Sequence, residues 1–361
     1  MGLTSPYLAL TEIGRGTNLA EAMGAGLQER GRFQERSIAP AVGTTVGETV
    51  PAAPLLPFLY RHEWLKGYLL LSPTLLLMLA TLLAPLLALA VISFWTQSGF
   101  DLDATPTLRN YWYLLKPGTE TTYWLGIPFP LEHPVYGILL VKSIFLSLAT
   151  TTAVILIAYP MAFFLAFRVK RRKLLWLIVI TVPFWTSYLL RVFAWRIVLG
   201  YNGAINSGLI ALGLIDQPLE FLLYNTSAVI ITLTHAWAAF AILPIYVSLE
   251  KIDRSLIEAA TDLGDTPWQR FWRVTLTLSA PGTISAALLV FIPTVGDYVT
   301  PTLVGGSGGH MVGNAIQSLF GRQNDAPLGA ALSIVMMLTV TLLVCLVLWL
   351  LGFGKMRRRG A

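Results

Sequence analysis

The sequence predicts an all-α membrane protein with six membrane-crossing helices, and three observations carry that expectation. Of its 361 residues, 55% are hydrophobic and 12% charged, against roughly 25% charged in a soluble domain. Six apolar runs, at about 67–95, 137–167, 174–199, 225–249, 282–304 and 328–353, approach or exceed the roughly 20 residues that cross hydrocarbon. These runs are continuous rather than alternating. Inside lipid only helices or closed barrels satisfy every backbone N–H and C=O, so helices are expected.

Residues 1–60 form an N-terminal extension and proline-rich linker. No basic stretch leads into an apolar core and a small-residue cleavage site, so this segment is not read as a cleaved signal. Thr17 or Asn18 caps an expected short helix with Leu19, Met23 and Leu27 on one stripe, and Pro40, Pro51, Pro54 and Pro57 then enforce extended chain. That helix rests on the bilayer or a partner, or the whole segment is a mobile tail.

The six-span region follows at 61–355, and the basic residues sort by its connections. Arg168, Lys170, Arg171, Arg172 and Lys173 fill the link between the second and third runs. Lys251, Arg254, Arg270 and Arg273 fill the link between the fourth and fifth, and Lys355, Arg357, Arg358 and Arg359 mark the end, with a basic tail at 356–361. The alternate links are poorer in lysine and arginine. These three segments therefore face the cytoplasm, and both termini lie inside. The net charge of +6 follows membrane topology rather than nucleic-acid binding, and lipid is the expected environment. Between the first two runs, residues 97–136 carry "NYWYLL" and "YWLGIPFPLEHP". This reads equally as a docking cap or an interfacial aromatic belt. The link from Gly200 to Tyr224 reads as a half-helix at the outer surface.

Reaction chemistry is scarce. His62, His133, His235 and His310 lack ligand spacing, Cys345 is the single cysteine, and no HExxH, GxSxG or CxxC occurs. No metal site and no enzyme activity are expected. In "GLQERGRF", Arg32 stands where a Walker lysine is needed and no strand precedes it, so ATP binding by this chain is not expected.

One charged, punctuated segment interrupts the apolar runs: "SLIEAATDLGDTPWQRFWRVTLTLSAPG", Ser255 to Gly282. Ser255 and Glu258 make an S-x-x-E capping box, and Leu256 to Leu263 runs as a short helix until Gly264 offers a left-handed stop. Thr266, Pro267 and Gln269 start a second helix, with Trp268, Phe271, Trp272 and Thr275 on one face, and Pro281 marks the return to the membrane. Two short helices at a sharp angle, with few residues of their own to bury a bulky apolar face, suit a partner's groove; the alternative is an amphipathic connector lying in the interface.

The pattern Glu258-Ala259-Ala260, Gly264, Phe271 and Pro281 resembles the "EAA" coupling loop of binding-protein-dependent ABC transporter permeases. "PFWTSYLLRVFAWRIVLGYNGAINSGL" and "GDYVTPTLVGG" resemble the spermidine/putrescine branch of that family, so the likeness covers about 65–355. The chain departs from the family in its longer N-terminal extension, and in Leu278-Ser279-Ala280-Pro281 where a Leu-Pro is common. The resemblance implies a type I importer fold with cytoplasmic coupling helices, 251–281 being the coupling loop, in the bacterial cytoplasmic (inner) membrane. It implies a second homologous permease, two ATPase subunits that hold ATP and Mg, and an extracytoplasmic substrate-binding protein, with no cofactor in this chain. Glu258, Ala259, Ala260, Asp262, Gly264 and Phe271 are the expected ATPase-coupling residues.

Ionisable groups inside a span are costly and usually face a cavity or partner. Asp297 lies between Pro293 and Pro301, which permit a broken helix lining a pathway. A carboxylate with the aromatic face of Tyr298 nearby suits a polyamine. The expected substrate pathway is Asp297, Tyr298, Thr294, Trp185 and Tyr188; alternatively Asp297 caps a helix or pairs with Arg191. Arg191, which would repel a cation, is assigned as a gate or structural ion-pair residue. Asp216 and Glu220 either guide a cation or are ordinary loop acids. Opines, amino-acid derivatives and ferric complexes remain alternative solutes, and a stand-alone secondary transporter is a further reading that would require inverted repeats or a charged relay.

Overall fold

The computed structural model describes residues 63–359. The short helix expected after Thr17 or Asn18 and the proline-rich linker lie outside these residues. The backbone separates into two units, Met1–Pro73 and Thr74–Ala361; of the first, the described part is the opening of helix α1, Glu63–Ile92.

In the second unit, the connection after α1 is not simply irregular. Strands β1 (Thr96–Ser98) and β2 (Asp101–Asp103) form one antiparallel hairpin, α2 spans Arg109–Leu115, and β3 (Pro117–Trp124) with β4 (Ile127–Leu131) forms a second hairpin. Helix α3, Pro134–Phe163, continues through a wide turn at Phe164–Arg168. Helix α4 (Lys173–Thr181) tightens into a 3₁₀ turn at Val182–Trp185 before α5, Tyr188–Leu199. After α6 (Ala204–Ala211) come α7 (Thr226–Glu250), α8 (Arg254–Asp262), α9 (Pro267–Arg270) and α10 (Leu276–Val295). The chain closes with α11 (Val312–Gly321) and α12 (Ala326–Arg359).

Among the described residues, five helices are long and apolar enough to cross a membrane, and a sixth crossing arises when the bent pair Lys173–Trp185 and Tyr188–Ala211 counts as one. The expected third span is therefore broken, by 82°. Pro183 has no N–H to continue the ladder, and Thr186 and Ser187 then adopt extended backbone.

The expected fifth span also needs correction. The apolar run places it at 282–304 with Pro281 as its start, but α10 begins at Leu276, holds Pro281 inside it and ends at Val295. Pro281 deprives only the Thr277 carbonyl of its helical donor, and the helix continues through it. Pro301–Gly305 is a separate wide turn.

Helices α3, α7 and α10 form the centre, around Val154, Ala158, Ala241, Ile245, Ala286 and Val290. Small residues let membrane helices approach closely. At Gly282 a side chain would collide with the Pro244 carbonyl and the Ser248 side chain, so α10 and α7 meet there backbone to backbone. A neighbouring cluster, including Val192, Leu199, Val229, Leu233 and Val304, holds α5 against α7.

Candidate functional site

Two places combine unusual geometry with chemistry: a cavity where two broken spans meet, and the charged segment from Asp253 to Thr275.

The cavity exists because both spans lose their helical ladder at the same level. Between Trp185 and Tyr188 the backbone is extended, which strips carbonyls of their usual i+4 donors. Arg191, buried at 8% exposure, satisfies them: Nη2 donates to the carbonyls of Phe184 (2.8 Å) and Thr186 (3.1 Å), and Nη1 to that of Ala236 on α7 (2.9 Å). Its guanidinium also lies 4.9 Å from the Phe184 ring centre. Among the described residues the ion pairs are Lys116–Glu132, Lys173–Glu250 and Arg273–Asp265. The expected ion-pair role of Arg191, with Asp297 as partner, is therefore corrected: its guanidinium fork serves a cluster of three carbonyls, two from the broken helix and one from α7.

Asp297 follows the end of α10. Its Oδ1 accepts from the Val299 N–H at 2.9 Å, capping the restart of the helix, and its Oδ2 accepts from the Tyr188 hydroxyl at 2.6 Å. The Tyr188 hydroxyl also bonds the Thr300 hydroxyl at 2.6 Å. The two breaks are thus tied by a charge-assisted bond. A cavity of about 420 Å³ opens beside it, lined by Phe184, Tyr188, Arg191, Trp237, Phe240, Asp297 and Tyr298 among others. A carboxylate has about four lone-pair sites, so Asp297 keeps acceptor capacity after its two bonds.

Of the expected pathway set, Asp297, Tyr298 and Tyr188 come together at this cavity. Thr294 does not: it is fully buried and its hydroxyl returns to the carbonyls of Val290 and Phe291. Trp185 is 81% exposed and absent from the lining. Sequence reasoning missed Trp237, whose indole N–H is buried without a partner; a tryptophan inside an apolar run carries no local mark of facing a cavity. It also missed Lys142, whose ammonium donates to the Gly308 carbonyl at 2.6 Å. A lysine near the outer end of the second apolar run was a visible signal.

In the charged segment, α8 is capped by Asp253, whose side chain accepts from the Ser255 N–H. The expected Ser255–Glu258 capping box is corrected: Asp253 stands two residues earlier in extended backbone, so Ser255 is already inside the helix. That same N–H holds the Asp253 carboxyl below its ordinary range. Gly264 takes φ +86° with open space around it, the left-handed stop the sequence predicts. Thr266 and Gln269 form the full capping box of α9, with Pro267 in its first turn.

Ala260 is buried while Glu258, Ala259, Asp262 and Gly264 are exposed. Glu258 and Asp262, four apart, share the outward face of α8. Phe271 points the other way, edge-on to Tyr159 (5.7 Å) and Phe163 (6.5 Å) of α3, and stacks with Trp268 (5.9 Å). Tyr159 in turn shares a 2.8 Å hydroxyl bond with Ser279 of α10. Phe271 thus packs the far end of the segment against α3, and Tyr159 ties α3 to α10. Trp272, 50% exposed, leaves the aromatic face only partly covered.

Residues 155–353 match the family model of the binding-protein-dependent transport system inner membrane component. The chain belongs to this family. The matched span includes the coupling segment, both broken spans and the cavity. Among curated relatives, the chain is 36% identical over 264 residues to the spermidine/putrescine transport system permease protein PotB of Haemophilus influenzae, covering 73% of this chain and 86% of that one. To the protein of the same name in Escherichia coli it is 38% identical over 219 residues, covering 61% and 79%. A solved bacterial alginate ABC transporter, in complex with an alginate pentasaccharide-bound periplasmic protein, shares the fold at a TM-score of 0.56 and 18% identity, covering 81% of this chain and 96% of that one. The architecture is the type I importer permease fold.

Proposed function

We propose that this chain is a permease subunit of an ATP-driven importer that carries spermidine, putrescine or a closely related polyamine across the bacterial inner membrane. The observation that carries the reading is the Asp297 carboxylate, held at the junction of two broken spans beside a cavity with aromatic walls. It agrees with the PotB relatives, which are spermidine/putrescine transport system permease proteins. A polyamine ammonium entering from water loses hydration, and the free acceptor sites of Asp297 replace part of it. The rings of Trp237, Phe240 and Tyr298 offer cation–π contact. Arg191, pinned close by, repels a cation and keeps it from resting there, which suits a passage more than a storage site.

The partners follow from the second site. Two ATPase subunits hold ATP and Mg, this chain holding no cofactor of its own. One of them takes the exposed face of α8 in a groove, where Glu258 and Asp262 supply negative charge. Phe271 passes the movement to α3 and α10 through Tyr159. A second permease completes the passage, and an extracytoplasmic binding protein delivers the solute; the solved alginate transporter is in complex with a periplasmic protein of this kind. Both termini and the α8–α9 segment face the cytoplasm, in line with the basic connections.

The test is uptake of labelled spermidine and putrescine into vesicles holding the assembled transporter, its binding protein and internal ATP, with an opine and an amino acid as competitors. ATP-dependent polyamine uptake that neither competitor reduces is expected. Uptake of a different solute alone would overturn the substrate assignment, and uptake without ATP the coupling. Reporter fusions after Ala361 and within Arg168–Lys173 should read cytoplasmic.

A further inference from the structure

We infer that the tip of the β3–β4 hairpin is a membrane anchor that sits in the headgroup and acyl boundary of the outer leaflet. The leaflet rests on the topology proposed above; the lipid contact itself does not.

Two contacts give the hairpin its direction. At its base, Leu131, and further along β4 the buried Phe129, approach α3 where Gly137 leaves room: a side chain there would come within 3.2 Å of Leu131 and 3.3 Å of the Phe129 ring. At its tip, Trp124 packs on Phe145, 6.0 Å between ring centres. Gly137 and Phe145 are eight residues apart on one helix, about 12 Å at 1.5 Å per residue. The hairpin therefore lies down along α3, with its tip towards the membrane.

The depth follows from length. Pro134–Arg168 is a 35-residue helical stretch, and hydrocarbon takes about 20. Counted back from the basic end at Arg168, the core of the bilayer ends at about Leu148. Phe145 lies about one turn beyond, and the polar Lys142 and Ser143 follow. Trp124 is thus placed at the interface, where tryptophan and tyrosine concentrate.

The hairpin's sequence changes with that depth. Thr119, Glu120, Thr121 and Thr122 are polar, and Tyr123, Trp124 and Leu125 at the tip are apolar or aromatic. Tyr123 is 69% and Leu125 81% exposed, so nothing among the described residues covers them. Leu125 (φ +49°) and Gly126 (φ +82°) make the turn, both with positive φ. Asparagine or aspartate usually takes the first of these positions in such a turn, and a leucine held there is strained. A bulky apolar side chain is displayed at a position that disfavours it. An interface also suits the hairpin's open backbone edges, which water can still reach there but not in hydrocarbon.

Replacing Cys345 with serine and making Leu125→Cys gives one attachment point for an environment-sensitive fluorophore, with Glu120→Cys as the control higher on the hairpin. The assembled transporter is placed in vesicles with shallow spin-labelled lipid in both leaflets, so the reading does not depend on the proposed topology. An anchor about 5–10 Å into the boundary predicts at least about twofold more quenching by lipid at 125 than at 120, and less quenching by aqueous iodide. Tyr123→Cys should behave like Leu125→Cys and serves if the latter fails to assemble. Equal iodide quenching at both positions would overturn the proposal. So would protection from lipid and iodide together, which would mark contact with the binding protein or another permease subunit.

Discussion

Between Asp253 and Thr275 the chain shapes itself with near neighbours: Asp253 caps two residues on, Thr266 three residues on, and Gly264 turns in open space. At the cavity, the contacts that matter cross the fold. Tyr188 reaches Asp297 over 109 residues and Arg191 reaches Ala236 over 45. The first region is a locally built, exposed knob, which the proposed function seats in a partner. The second exists only when broken helices have docked. A surface change in the knob should therefore separate function from folding, and a change at the junction should mix them.

The largest effect is expected from Glu258→Lys. The side chain is exposed, so the transporter should assemble in normal yield while uptake falls to background. Normal substrate-stimulated ATP hydrolysis in that variant would break the comparison at its functional end. Next is Arg191→Met, which leaves three carbonyls without their donor at about 1–3 kcal/mol for each that stays buried, partly offset by relief of guanidinium desolvation. The yield of intact complex should drop several-fold, and Arg191→Lys should recover part of it. Tyr188→Phe is milder. It removes one charge-assisted bond and should lower the uptake rate roughly three- to tenfold with assembly near normal, as measured by uptake per assembled complex.

The smallest effect concerns pH. The Ser255 N–H lowers the Asp253 carboxyl below its ordinary value of 3.8, so the cap contributes fully above that value and is lost as pH falls through the lower folded one. Hydrogen exchange in α8 should be flat between neutral pH and about pH 5 and lose protection only in stronger acid. Asp253→Asn, which still accepts the bond, should remove that acid dependence.

The same contrast explains what the sequence could tell. Gly264 and the Thr266–Gln269 box were readable because their causes lie within four residues. The capping residue of α8 was misplaced by two positions because Asp253 and Ser255 are both good caps, and only the backbone decides which is extended. All six crossings were legible from apolar length, though not the bounds of the fifth. The break at Phe184–Ser187 was not, since Pro183 alone signals a kink without its size, and the carbonyls Arg191 satisfies include one from α7. Pro281 misled for the opposite reason: the helix runs through it from Leu276 without a break. Asp297 and Tyr298 stood out as polar groups in an apolar run, whereas nothing local distinguished Trp237, which lines the cavity, from Thr294, which does not.

The central claim is that Asp297, held by Tyr188 at the meeting of the two breaks, helps a cationic solute cross. Uptake of labelled spermidine by Asp297→Asn transporter, with the yield of intact complex and basal ATP hydrolysis measured on the same preparation, tests it most directly. Asparagine keeps an oxygen for the Tyr188 hydroxyl or the Val299 N–H but removes the charge. Because a separate binding protein captures the solute first, the maximal uptake rate should fall more than the apparent affinity, with assembly and basal hydrolysis retained. Unchanged spermidine uptake by a fully assembled Asp297→Asn transporter would contradict the claim and leave Asp297 as a helix cap.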